Sequence, residues 1–469
     1  MPTLIGPEDK TVVIKFGGGV HSRAPADEIN PRECTSGQNF VLDMQNTQLA
    51  PRPPFDLLGQ VPNAGEIRGF VSLLKTDGTV SLLVQAGATV YEWNGTSFST
   101  ITGGTVAATA KLRGRIEHNW QLGNSGAGEV IITDLNLADV VMKWDGSTLA
   151  DVTFTDEDSN PFGNFKAKYC VIQDERVIFG NCVDASPTEL PHMIVGTKVS
   201  DYTNITVSNK PSSALGQDDP YYLLTPDLRA INGLLYAFGL IEISTVQGSL
   251  WKLVGNSAQD YAIAGLHRDS GASGYEAMAD IGNDILYGRQ GRLESMKSTD
   301  KFGDVETDDI SAPIFDEIED YTDWTITYNS RTQRVYCYPQ NKAKIWTLYK
   351  PLVGSEVSPW VEYKTNHSMS FNPTAIMNAY DPVDKLEYVF FGDSSGNVYR
   401  MEGTGSGDGG LNTVTIERLS PMVLLPDDTE AFTLFGWVRY RRIADITLKL
   451  KFEFQGDHQF NETITVDLS

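Results

Sequence analysis

"VYEWNGTSF" occupies Val90–Phe98, and 51 residues on the chain reads "VMKWDGSTL", Val141–Leu149. A looser third copy, "VYRMEGT", runs from Val398 to Thr404. The matched centres are Trp93, Trp144 and Met401, and the second gap, 257 residues, is close to five times the first. In each copy the large apolar residue reads as a packing anchor on a strand that runs into a glycine turn. Asn94-Gly95 and Asp145-Gly146 are pairs that accept the positive φ of a type I′ hairpin. The repeat anchors are therefore Trp93, Gly95, Trp144, Gly146, Met401 and Gly403. A unit of about 50 residues suits one four-stranded blade. The expectation is an all-β fold, a β-propeller of six or seven blades over residues 61–405. A β-sandwich carrying one chance repeat is the alternative.

The strands between the copies have the same grain. "RVIFGN" (from Arg176), "INGLLYAFGLIEISTVQGS" (from Ile231), "IGNDILYGRQGRLESM" (from Ile281) and "LEYVFFGDSSGNVYRMEG" (from Leu386) read as short apolar runs joined by Gly, Asn or Asp turns. Residues 1–60 differ. They read as an N-terminal arm or strap: "TVVIKF", then Gly17–Gly19, a polar stretch and the stiff "PRPPFDLLG". Arg52 in that last segment is expected to anchor on a carboxylate or a carbonyl. Residues 406–469 read as a small C-terminal antiparallel β-domain, which the N-terminal strand could complete. "DITLKLKFEF" alternates strictly, with Ile446, Leu448, Leu450, Phe452 and Phe454 on one side. "FTLFGWVRYRRI" is a second strand ahead of it. One helix is expected in "SAPIFDEIEDY", with Ser311 as N-cap and Ile314 and Ile318 on one face.

Composition limits the function. Among 469 residues, 61 Asp and Glu against 37 Lys and Arg give a net charge of -24. A surface of that sign repels nucleic acid, yet lets DNA pass a smooth wall without sticking. Cys34, Cys170, Cys182 and Cys337 contain no CxxC pair and are expected as free buried thiols, with a Cys170–Cys182 bridge as the alternative. The most apolar run, Leu234–Ile243, is too short to span a bilayer, so a soluble protein made in the cytosol is expected.

The search for chemistry returns little. The glycines at 17–19 lack the Gly-Lys-Ser/Thr of a phosphate loop. His21, His118, His192, His267, His367 and His458 form no HxH or HExxH. "TDEDSN" groups Asp156, Glu157 and Asp158 but lacks the rest of a calcium loop. "DSSGN", Asp393–Asn397, is similar to the turn of a sialidase Asp-box without its order. No catalytic residue, cofactor or metal is expected. Arg439, Arg441 and Arg442 make a dense basic spot; with Arg52 they are candidate assembly contacts, and phosphate binding is the other reading of the trio.

The glycine-rich strand end, "ECTSGQNF" and "LAPRPP" together resemble the start of podovirus tail nozzle proteins, also called tail tubular protein B. In that family an Asn and an Arg-Pro pair precede the propeller; here they are Asn39 and Arg52-Pro53. "LRAINGLLYAFGLIEISTVQGS" is similar to a family strand pair, with Ile243 and Ser244 where a Trp is common. "RVIFGN…SDYTN", with Arg176 and Asp201-Tyr202, resembles another recurring segment. Length and layout are most similar to the tail hub (tail accessory) proteins of P22-like phages. The resemblance implies a virion tail component, assembled in the host cytoplasm into a homo-oligomer, a hexameric ring below the portal and its head–tail adaptor. It implies double-stranded DNA conducted and retained in the lumen until ejection, without sequence-specific binding. A needle, plug, spike or fibre protein would meet the distal end; no membrane and no enzymatic activity are implied. The alternative is a propeller glycoside hydrolase or glycan-binding protein.

Overall fold

The computed structural model describes residues 17–25, 28–30, 32–42, 50–115, 119–120, 128–184, 188–206, 215–246, 248–267, 271–282, 284–298, 305–340, 342–364, 372–403, 408, 414, 417–419, 447–453 and 461–467. The chain divides into two compact units, Met1–Val423 and Leu424–Ser469.

In the first unit the strap supplies β1 (Ser36–Gln38), β2 (Phe40–Val41), β3 (Ala50–Pro51) and β4 (Asp56–Gln60). A nine-stranded sheet follows: β5 (Ile67–Leu74), β6 (Val80–Ala86), β7 (Thr89–Trp93), β8 (Phe98–Thr105), β9 (Leu112–Gly114), β10 (Asn119–Trp120), β11 (Glu129–Asp134), β12 (Met142–Trp144) and β13 (Leu149–Asp151). β14 (Phe154–Thr155) and β15 (Pro161–Phe162) pair alone. Three antiparallel four-stranded sheets come next. The first is β16 (Lys166–Gln173), β17 (Arg176–Val183), β18 (Glu189–Gly196) and β19 (Tyr221–Leu224). The second is β20 (Ile231–Ala237), β21 (Leu240–Thr245), β22 (Ser249–Val254) and β23 (Ala262–His267). The third is β24 (Met278–Asp280), β25 (Asp284–Arg289), β26 (Arg292–Ser298) and β27 (Val305–Asp309). After a short helical segment come β28 (Trp324–Asn329), β29 (Arg334–Pro339), β30 (Lys344–Tyr349), β31 (Trp360–Lys364), β32 (Ala375–Tyr380), β33 (Glu387–Gly392), β34 (Asn397–Arg400) and β35 (Glu417–Leu419). In the second unit, β36 (Thr447–Glu453) pairs antiparallel with β37 (Asn461–Asp467). "FTLFGWVRYRRI", with Arg439, Arg441 and Arg442, lies outside the described residues.

The middle strands explain the apolar runs of the sequence. Every residue of β17 is buried, because its sheet is covered on both faces. All four cysteines are free and buried, and Cys170 and Cys182 face Phe179 and Ala167 across the β16–β17 hairpin instead of each other.

The all-β character stands, but the expected propeller of six or seven like blades, and the tail-nozzle architecture it implied, do not match this sheet layout. The described sheets hold nine, six, four or two strands. The two tryptophan hairpins, which should have sat in separate blades, belong to one nine-stranded sheet. Glycines cause the merger. At Gly69 an added Cβ would overlap the Leu112 carbonyl oxygen, and at Gly114 it would stand 2.8 Å from Val71. With no side chain in the way, β5 and β9 approach and pair in parallel through Phe70–Arg113 and Val71–Gly114. The ends of the eight-strand path β13-β12-β11-β9-β5-β6-β7-β8 come close to closing, through a bridge between Thr102 and Thr148. Gly103, at φ +74°, allows that approach, since a Cβ there would overlap the Leu149 carbonyl oxygen.

The expected helix is also shorter. A 3₁₀ turn, Ala312–Ile314, leads into a single turn, α1 (Phe315–Ile318). Ser311 stands at the N-cap position of the 3₁₀ turn but makes no side-chain cap bond: its hydroxyl donates to Asp309 and accepts from the Leu293 N–H. Ile314 and Ile318 are both fully buried.

Candidate functional site

The strap is bound into the body strand by strand. Gly19 N–H donates to the Ser358 carbonyl and Val20 N–H to the Trp360 carbonyl, each at 2.7 Å. A Cβ at Gly19 would overlap the Trp360 oxygen, so glycine sets this distance. β1 then lies between β31 and β35, extending the sheet β28-β29-β30-β31-β1-β35. Further on, β4 pairs antiparallel with β34, so residues 56–60 complete the sheet made by 375–400. Start and end of the unit thus share a sheet.

Between these pairings lies one buried polar node. Asn39, at φ +61°, adopts the left-handed conformation that Asn tolerates. Its Oδ1 accepts from Arg52 Nε and from the Lys364 N–H, both at 2.9 Å. The Arg52 guanidinium donates to Asp408 Oδ1 at 2.8 Å and Oδ2 at 2.6 Å, and to the carbonyls of Pro53 and Lys364 at 2.9 Å. Phe55 N–H adds a bond to Asp408 at 3.0 Å, and the guanidinium stands 4.0 Å from the centre of the Phe55 ring. Arg52 is 2% exposed and Asp408 1%. All five guanidinium donors are satisfied inside the chain, on both a carboxylate and carbonyls. Arginine suits the position because its planar fork meets several acceptors at fixed angles. Sequence reasoning found Asn39 and Arg52 but missed Asp408, the lone acid of "GTGSGDGG".

The repeat anchors occupy related local settings. Asn94 Oδ1 accepts from the Thr96 and Ser97 N–H groups, and Asp145 Oδ1 from those of Ser147 and Thr148. These are four-residue Asx turns; only Gly95 (φ +94°) and Gly146 (φ +90°) take positive φ, so the expected type I′ geometry is absent. Trp144 is 1% exposed and donates its indole N–H to Ser81 Oγ at 3.0 Å. Trp93 is 5% exposed, packs on Phe98 and leaves its indole N–H without an acceptor among the described residues. Met401 is fully buried, but the third copy turns differently: Glu402 itself takes φ +60° and holds Arg331 and Arg334 at 3.1 and 3.0 Å. Gly403 lies so close to Asp56 that a Cβ would overlap its carboxylate. Arg176, quoted for the resemblance, is buried and caps the carbonyls of Thr197, Gln217 and Asp219.

A cavity of about 200 Å³ is lined by Lys111, Asn136, Tyr169, Glu276 and Asp323, among others. Buried Glu276 accepts from Lys111 Nζ at 3.0 Å and from Arg113. Burial pushes its carboxyl up, but Arg113 and then Lys111 outweigh it and hold the group at about 2. A carboxylate held ionised in this way is not a general acid, which must keep its proton near neutrality. A hollow of about 420 Å³ beside Arg289, Arg292, Phe315 and Glu319 is not cationic overall. Arg289 pairs with Glu294 at 3.2 Å and Arg292 with Asp309 at 3.9 Å. Among the described residues no group of three or more His, Cys, Asp or Glu could hold a metal ion. Among them, too, no helix is long and apolar enough to cross a membrane.

No family model matches the chain, and no curated protein matches it. Solved structures resemble it in part. The extracellular domain of a hybrid two-component system protein from B. thetaiotaomicron is 11% identical, over 76% of this chain and 42% of that one, with a TM-score of 0.45. The computationally designed Ika8 protein is 12% identical, over 74% of this chain and 99% of that one, at 0.38. BBS1N in complex with ARL6DN is 10% identical, over 78% of this chain and 100% of that one, at 0.44. Likeness of this degree carries no argument about activity or partners.

Proposed function

We propose that this chain is a non-enzymatic structural protein of a phage tail, which assembles with copies of itself, as a hexamer, into a ring below the portal and adaptor. The ring conducts and retains double-stranded DNA, and its far end meets a needle, plug, spike or fibre protein. One observation carries the reading. Asn39 and Arg52-Pro53, on which the resemblance rests, meet in one buried node with Asp408. A strap held by a multidentate arginine, by strand pairing and by close glycine contact suits a body that must bear mechanical load. The net charge of -24 agrees with DNA passing without being gripped. The low-lying Glu276 carboxyl agrees with a cavity that performs no acid catalysis.

The test is native mass measurement and electron microscopy of the full chain, alone and with a head–tail adaptor protein. A ring in either condition supports the reading; a monomer in both overturns it. Release of sugar from a glycan panel would replace it with the glycoside hydrolase reading.

A further inference from the structure

The first strand of the sheet β20–β23 packs beside β24 of the next sheet, and a carboxylate on the second strand lies near that seam without the usual support. β21 alternates: Ile241 and Ile243 share an apolar cluster with Ile178 and Leu253, so Glu242 and Ser244 face the other way. The cross-strand partner of Glu242 is Leu235, which belongs to the cluster holding Met278 and Ala279 of β24. Glu242 is 2% exposed, and its Oε2 has no hydrogen-bond partner among the described residues. Two charged groups act on it: Asp280, at the end of β24, and Lys252, its cross-strand neighbour on β22. Ser244, its companion on that face, has its hydroxyl engaged by the Ala272 N–H at 3.0 Å.

We infer that Glu242 is a proton-operated latch on this seam: protonated it lets the two sheets close dry, and ionised it drives them apart. The neutral carboxyl can lie against its cross-strand neighbour Leu235 at little cost. The anion cannot, because it is desolvated, lacks a hydrogen bond on Oε2 and is opposed by Asp280. Burial first, then Asp280, raise the Glu242 carboxyl from 4.5 to about 8, with Lys252 acting the other way. The sign follows. Between those values the folded chain keeps a proton that the unfolded chain gives up, so stability falls as pH rises through that window and levels off above it. The inference is independent of the tail reading, because it concerns contacts within one chain.

The experiment is thermal melting of the full chain from pH 5 to 9.5, compared with Glu242→Gln and Asp280→Asn. The wild type should lose several degrees between pH 5 and 8 that Glu242→Gln does not lose, with the two curves converging toward acid pH. Removing the Asp280 charge should move the upper end of the wild-type loss to lower pH. Amide protection in 240–245 and 278–280, corrected for intrinsic exchange, should drop about tenfold or more in the wild type over the same range. Identical pH profiles for wild type and Glu242→Gln overturn the inference. If Glu242→Gln does not fold, Asp280→Asn, an exposed position, decides: an unmoved profile overturns it.

Discussion

Arg52 and Asp408, 356 residues apart, form a two-bond ion pair in which both side chains are almost fully buried. Such a pair contributes little net stability compared with apolar groups of the same shape, but breaking it leaves a buried charge uncompensated. Here the remaining charge would also lose its place against Asn39 and Phe55. Asp408→Ala should therefore lower unfolding free energy by about 3–5 kcal/mol, and Arg52→Lys by nearly as much, since an ammonium cannot reach the four acceptor groups at once. Urea unfolding of each variant checks this. A loss under about 1 kcal/mol for both would mean that the node is not what binds the strap.

Gly19 gives a second, separable test of the strap. Gly19→Ala forces a methyl group onto the Trp360 carbonyl oxygen, which belongs to rigid backbone. The expected cost is about 1–3 kcal/mol, and it should fall on the strap before the body. Limited proteolysis should cut the variant within residues 17–25 or 32–42 of the strap well before the sheets β16–β27 are touched. Equal protection in variant and wild type would count against this placement.

The strands and turns were legible in the sequence because each rests on local chemistry: apolar runs such as "RVIFGN" and turn residues such as Asn94-Gly95. The sheets were not. Gly69, Gly103 and Gly114 read as ordinary glycines, yet they admit the backbone contacts that merge two hairpin groups into one sheet. A glycine in a strand announces a close approach without naming its partner. The same holds for the node. Arg52 stood out in a proline-rich segment, but Asp408 lies in a glycine-serine run where one acid carries no signal. Glu276 was invisible for a related reason: its two cations come from "KLRGR", at Lys111 and Arg113, far away in sequence.

Glu276 makes one contribution to stability that acid should remove. Despite its burial, Arg113 and Lys111 hold its carboxyl at about 2, below the 4.5 of an unperturbed glutamate. The folded-state value is depressed, so the contribution is complete above pH 4.5 and is lost as pH falls toward 2. Its size is on the order of 3 kcal/mol. Glu276→Gln should be less stable than wild type at pH 7, because buried Arg113 and partly exposed Lys111 lose their anion, and the difference should shrink as both are taken to pH 3. Denaturant midpoints at pH 7, 5 and 3 measure it. A gap that stays constant over that range would show that the carboxyl titrates normally.

The two copies of the opening motif use the indole N–H differently, and this makes them separable by mutation. Trp144 donates its indole N–H to Ser81 Oγ, and Ser81 Oγ donates in turn to Glu92, so the bond is part of a buried chain. Trp93 has no acceptor for its N–H among the described residues. Replacing either by Phe removes similar volume. Trp144→Phe also takes from Ser81 Oγ the donor it accepted, leaving it only its bond to Glu92, whereas Trp93→Phe removes a polar group that was already unpaired. Trp144→Phe should accordingly cost about 1–2 kcal/mol more than Trp93→Phe, beyond the packing loss that both share. In a Ser81→Ala background the Ser81 contribution is gone, and the two substitutions should then cost nearly the same. The double-mutant cycle reads that coupling directly. A coupling near zero between Trp144 and Ser81 would mean that the repeated tryptophans act through packing alone.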